Sequence, residues 1–146
     1  MNTHITADVD SVAITIAPAA GRAMISALFL LSGISKVTAP AMTIGYIQSV
    51  GLPLPSIAFA LSAAVEILGG LALLLGFRTR ITASILFLFT LATASFFHNH
   101  LADQNQFIHF LKNVAIAGGL LNIFAFGGGR ISLDGRRFDC PFVPVV

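Results

Sequence analysis

The stretch "FFHNHLADQNQFIHFLKN", residues 96–113, holds three histidines, a lysine and an aspartate in a chain where only 10% of residues are charged. Imidazole changes its charge near neutral pH and exchanges protons readily. The Lys112 ammonium and the Asn113 amide donate hydrogen bonds. On a helix, His109, Lys112 and Asn113 fall at i, i+3 and i+4 and share one face. Such a group can hold an oxygen-bearing headgroup and relay protons to it. A second ionisable residue, Glu66, stands alone inside the apolar run "SIAFALSAAVEILGGLALLLGF".

The elements that position these residues are membrane spans. The 146-residue chain is 56% hydrophobic, with 8 basic and 6 acidic side chains, whereas soluble domains carry roughly a quarter of their residues charged. Crossing about 30 Å of hydrocarbon takes about 20 apolar residues. Four runs meet that need, at residues 18–35, 56–77, 81–97 and 107–126, the last stopped by Gly127, Gly128 and Gly129. Pro18 suits the first turn of the first helix. These runs predict an all-α fold, an integral membrane four-helix bundle. Residues 1–17 lack the basic start of a signal peptide and read as a leader, flexible or lying on the surface. Residues 18–137 form the four-span domain, and residues 138–146 a tail.

Charge placement orients the bundle. Arg22, Arg78, Arg80, Arg130, Arg136 and Arg137 fall on one side, and only Lys36 and Lys112 on the other. Cytoplasmic segments carry the excess of cations, so both termini are expected in the cytoplasm, and the histidine-rich junction on the outer face. The link 37–55 also faces outward. Pro40 opens a short helix there, Gly51 ends it and Pro53 forbids continuation. Met42, Tyr46, Ile47 and Val50 fall near one face, which predicts an amphipathic helix lying in the membrane interface between the first and second spans.

Glu66 lies about 15 Å along its helix from Ser56, near mid-bilayer, where an ionised carboxylate costs several kcal/mol. It needs a partner, a proton or a wet cavity. Arg78 is about 18 Å away on the same helix. Lys112 enters the fourth span from the outer side and can reach Glu66 if the two helices are neighbours; Lys36 closes the first span at the same level. Ser62, Ala63, Glu66, Gly69 and Gly70 share one face, and small residues at this spacing let helices approach closely. A pure packing seam around a protonated acid is the bland alternative for Glu66. Histidines wetted at span ends are the bland alternative for the junction, and for His100 that reading is preferred.

The composition excludes several chemistries. No Lys/Arg-rich run follows a nucleic-acid backbone. One cysteine, Cys140, allows neither a disulfide nor a CxxC pair within the chain. No haem, flavin or metal motif is evident: the outer histidines gather at one end, and no acidic ligand completes a metal set. What fits is a cationic, proton-exchanging cavity with an apolar entrance, suited to a quinone headgroup or a similar amphiphile. The residues assigned to catalysis are Glu66, His98 and Lys112; those assigned to holding the headgroup are Lys36, Asn113 and His109.

The segments "FLLSGISK" (29–36), "EILGGLALLLGFRTR" (66–80), the histidine after the third span, "KN" followed by "GG" (112–119) and "GGGRISLDGR" (127–136) resemble the DoxX family of four-helix inner-membrane proteins. The resemblance runs from Gly21 to Arg136. By that resemblance Lys36, Glu66, Gly70, Gly76, Arg78, His98, Lys112, Asn113 and Asp134 match the family's signature positions. It implies a link to thiosulfate:quinone oxidoreduction and to membrane complexes handling oxidative or thiol stress. The expected function is a membrane oxidoreductase subunit working with a partner redox protein in the bacterial inner membrane. The alternative is a non-catalytic protein that binds or moves a small amphiphile or assembles a partner complex. Lipid and a redox protein are the expected partners, a homo-oligomer remains open, and nucleic acid is not expected.

The charge asymmetry makes a topological prediction. A reporter fused after Val146 will behave as cytoplasmic. In a Cys140→Ser background, a single cysteine at Asp103 or Gln48 will react with an impermeant thiol reagent in intact spheroplasts. A shielded Asp103 together with a labelled Arg137 would reverse the orientation.

Overall fold

The computed structural model describes residues 3–98 and 101–135, with side chains from residue 15 onward. All described regular structure is helical: α1 (Thr3–Thr38), α2 (Pro40–Ser49), α3 (Pro55–Leu75), α4 (Thr79–Phe97) and α5 (Gln104–Phe126). Four of these are long and apolar enough to cross a membrane, α1 through its Thr15–Thr38 portion. The four-span bundle read from the sequence is the observed architecture. Pro18 departs from its expected place: it lies inside α1 rather than in its first turn. The helix therefore tolerates a residue without an N–H. Residues 136–146, with Arg136, Arg137 and Cys140, and the junction residues Asn99 and His100 lie outside the described residues.

Helix ends follow from local chemistry. α3 stops at Gly76, whose φ of +67° is left-handed. There Gly76 N–H donates to the Leu73 carbonyl and Phe77 N–H to the Ala72 carbonyl, the paired pattern that satisfies a helix's last carbonyls. α5 starts at Asp103, whose carboxylate accepts from Gln106 N–H at 2.9 Å, meeting one of the orphan donors of the first turn. α2 has Pro40 at its start and Gly51 at φ +77° just past its end. These are the stops expected from the sequence.

The packing order decides which side chains can meet. α1 packs on α3 and α5, and α4 packs on the same two helices. The four spans form a ring in which α3 and α5 are diagonal, with no close approach of their backbones among the described residues. α2 lies across the end of α1 and α3. Lipid gives helices no hydrophobic reason to associate, so close approach of backbones must hold them together. Gly33 and Gly70 supply it at the α1–α3 seam: a Cβ on Gly33 would sit 2.6 Å from Ile67 Cγ1 and 3.2 Å from Glu66 Cβ. Phe29, Leu73, Ala83, Leu86 and Leu120 fill the centre.

The opposite end of the bundle is closed by the loop after α5. The Asp134 carboxylate accepts from Arg78 N–H at 2.9 Å, Thr79 N–H at 2.6 Å and the Thr79 hydroxyl at 2.8 Å, capping α4. Arg22, counted among the cations of this end, is buried within α1, where its guanidinium donates to the Ile131 carbonyl at 2.6 Å and ties the loop to the bundle.

Overpacking a tight seam costs typically about 1–3 kcal/mol. Gly33→Ala will therefore lower the unfolding temperature in detergent by several degrees. Gly118→Ala will leave it unchanged or slightly raised, because nothing lies within 4 Å of a Cβ built there. Thermal unfolding followed by circular dichroism checks both, and equal stability of the two variants would refute the seam.

Candidate functional site

The histidine end of the bundle contains a cavity of about 600 Å³ beneath α2. This lies in the range of small-molecule sites. Its walls come from all five helices, α5 contributing Asn113. α1 supplies Ser32 and Lys36, α3 supplies Ser62 and Glu66, and α4 supplies Phe89, Thr93, Phe97 and His98. α2 supplies the roof through Thr43, Tyr46 and Ile47. Ile47 is buried, and the Tyr46 ring stacks on Phe97 with centroids 5.4 Å apart. The predicted interfacial helix is thus real, and it also covers a polar cavity.

The polar floor is an ion pair. Lys36 Nζ donates to Glu66 Oε1 and Oε2, both at 2.7 Å, and to Ser32 Oγ at 2.9 Å. The Ser32 hydroxyl donates in turn to Glu66 Oε1 at 3.2 Å. Side chains on a helix point back toward its N-terminus, so Lys36, near the end of α1, reaches inward past Ser32 one turn earlier. Gly33 lets α3 come close enough for Glu66 to receive it. The Glu66 side chain is 6% exposed and that of Lys36 24%. An ammonium has three protons, and all three are engaged here. Oε1 accepts two hydrogen bonds and Oε2 only one, leaving acceptor capacity on Oε2.

This corrects the expected Glu66–Lys112 contact. α5 stands diagonal to α3, so the condition for that pairing is not met. Lys112 is exposed and does not line the cavity. Asn113, one residue and about 100° further round the helix, does line it. His98 lines the rim, with Nδ1 2.8 Å from Gln106 Oε1. With the amide oxygen placed there, a neutral His98 carries its proton on Nδ1 and leaves Nε2 as acceptor. His109 lies outside the cavity, exposed, but its ring stacks on His98 with centroids 5.1 Å apart. Its carbonyl also accepts from Asn113 Nδ2 at 3.1 Å. Of the six assigned residues, Lys36, Glu66, His98 and Asn113 meet at one cavity; His109 braces it and Lys112 faces away.

The sequence reading missed Ser32, Thr93 and the aromatic wall of Phe89 and Phe97. Ser32 had a usable signal, four residues before Lys36 on the same face. Thr93 and the phenylalanines had none, since a span rich in both reads alike on every side.

Fold and site together define a class: a four-span helical membrane protein with a buried Lys–Glu pair under an interfacial helix. A family model for DoxX matches residues 17–99, and the chain belongs to the DoxX family. The match runs from α1 through α4 and so includes Lys36, Glu66 and His98, while α5 lies beyond it. The chain is similar to the Escherichia coli inner membrane protein YqjF, 38% identical over 113 residues that cover 77% of this chain and 85% of that protein. It is also similar to the inner membrane protein YphA of the same organism, 34% identical over 114 residues, 75% of this chain and 81% of that protein. No solved structure matches the chain.

Removing one partner of a buried ion pair leaves an uncompensated charge, costing about 3–5 kcal/mol when fully buried. Lys36 is partly exposed, which places Lys36→Ala toward the lower end. Lys112→Ala will be close to neutral, and Glu66→Gln milder than Lys36→Ala because it removes the charge itself. Adding Glu66→Gln to Lys36→Ala will restore part of the lost stability. Chemical unfolding in mixed micelles measures all four, and equal losses for Lys36→Ala and Lys112→Ala would reject the pairing.

Proposed function

We propose that this chain is the membrane subunit of a quinone-linked oxidoreductase. It holds a quinol or quinone headgroup in the cavity under α2 and exchanges electrons with a partner redox protein. The observation that carries this reading is the set of acceptors facing the cavity. Glu66 Oε2 and, in neutral His98, Nε2 are left as acceptors among flat aromatic side chains. Two ring hydroxyls can donate to such a pair, and Phe89, Phe97 and Tyr46 offer faces and edges to an aromatic ring. A bound quinol supplies two electrons and two protons.

The chain's own residues handle the protons and the fit. Glu66 accepts one hydroxyl and His98 the other. His98, at the rim of the cavity, takes the two protons in turn and passes them outward to water, while the two electrons leave to the partner protein. Lys36 holds the Glu66 carboxylate fixed, so that it accepts without swinging. Asn113 supplies a further amide at the wall. The lone Cys140 offers no dithiol, which favours a partner as the electron carrier. The positive-inside pattern supports an inner-membrane placement with both termini cytoplasmic and the cavity on the outer side.

The test is binding of a short-chain quinol and its quinone to the purified full chain in detergent, followed by calorimetry. A hydrogen bond to a charged group contributes about 1.5–3 kcal/mol. Glu66→Gln and His98→Ala will accordingly weaken quinol binding by at least about tenfold, while Lys112→Ala stays within twofold. Unchanged binding in both Glu66→Gln and His98→Ala would overturn the site.

A further inference from the structure

A second cavity, of about 590 Å³, opens at the arginine end between the α3–α4 turn and the loop after α5. Arg78 and Arg80 line it together with Ile81, Phe126, Gly128 and Asp134. Both arginines are exposed. Arg80 Nη2 makes one long contact, 3.4 Å to the Ala125 carbonyl, and the Arg78 backbone donates to Asp134 and accepts from Thr82 N–H. Asp134 brings one negative charge to this lining against two guanidinium groups, and its carboxylate is held in place by Arg78 N–H, Thr79 N–H and the Thr79 hydroxyl. The opening therefore carries a surplus of fork-shaped donors, which match phosphate geometry.

The neighbouring surface is apolar. Phe126 is 82% exposed and Ile81 57%, and both stand at the ends of spans, where acyl chains meet headgroups. A soluble anion has no use for such flanks, but an amphiphile with a phosphate head does. We propose that this cavity holds the phosphate of an anionic phospholipid, with Arg78 and Arg80 on the head and Ile81 and Phe126 against the chains. The α3–α4 turn and the closing loop meet at this cavity, so the lipid clamps the end of the bundle opposite the quinone site. Basic pockets beside span ends are the general form of such recognition.

The experiment titrates the purified full chain in a neutral detergent with phosphatidylglycerol, phosphatidylcholine or inorganic phosphate and follows its unfolding temperature. Ligands that bind the folded state alone raise that temperature with concentration. Phosphatidylglycerol will stabilise the chain, and phosphatidylcholine and phosphate will not. Losing one arginine near a lipid surface weakens binding about fivefold, and losing both about thirtyfold. Arg80→Gln will show the first shift and Arg78→Gln/Arg80→Gln the second, while Arg130→Gln, which does not line the cavity, responds as wild type. Should the double variant fail to fold, Arg80→Gln alone decides. Equal stabilisation by the two lipids, a wild-type response from Arg80→Gln, or full stabilisation by phosphate alone would each overturn the proposal.

Discussion

A charge inside a bilayer must be paired, neutralised or wetted, and here Lys36 and Glu66 answer each other at hydrogen-bond distance. Neither residue can settle alone: a carboxylate at mid-span costs several kcal/mol, and an ammonium drawn inward from the end of α1 faces the same difficulty. Bringing them to 2.7 Å fixes the register of α1 against α3. It also demands the close seam that Gly33 and Gly70 permit, and it places Ser32 beside the pair. With α1 on α3, the short turn from Leu75 to Thr79 keeps α4 beside α3 as well, which leaves α5 between α4 and α1 and diagonal to α3.

The same pair makes the cavity chemically specific. Because Lys36 spends its three protons on Glu66 and Ser32, the site presents acceptors rather than donors on that side. His98, held at Nδ1 by Gln106, adds another acceptor at the rim in its neutral form. α2 then encloses the space through Ile47 and the Tyr46–Phe97 stack. The two ends of the bundle differ accordingly: one has a neutralised pair under an aromatic roof, the other a surplus of arginine beside a glycine-rich loop.

Much of this was legible before any coordinates. Four spans, the short helix from Pro40 to Gly51 and the burial of Ala63, Glu66 and Gly70 follow from hydropathy, proline and glycine placement, and helical spacing. The partner of Glu66 was not legible, because Lys36 and Lys112 both enter from the same end, and only the order of helices round the ring separates them. Periodicity fixes which residues share a face of one helix but says nothing of which helix that face meets. Lys112 and Asn113 show this most plainly, since adjacent residues on one helix end up outside and inside the cavity. The burial of Arg22 was not legible for a related reason: near a span end, an arginine reads the same whether it faces water or a carbonyl of the closing loop.

The central claim is that Glu66 is a carboxylate held by Lys36, and infrared spectroscopy of the purified chain tests it most directly. Comparing the wild type with Glu66→Gln isolates the bands of this one side chain, and Lys36→Met reports on its partner. A carboxylate band that vanishes in Glu66→Gln and shifts in Lys36→Met is the predicted result. Loss of a protonated-carboxyl band in Glu66→Gln, with Lys36→Met leaving it unmoved, would contradict the account.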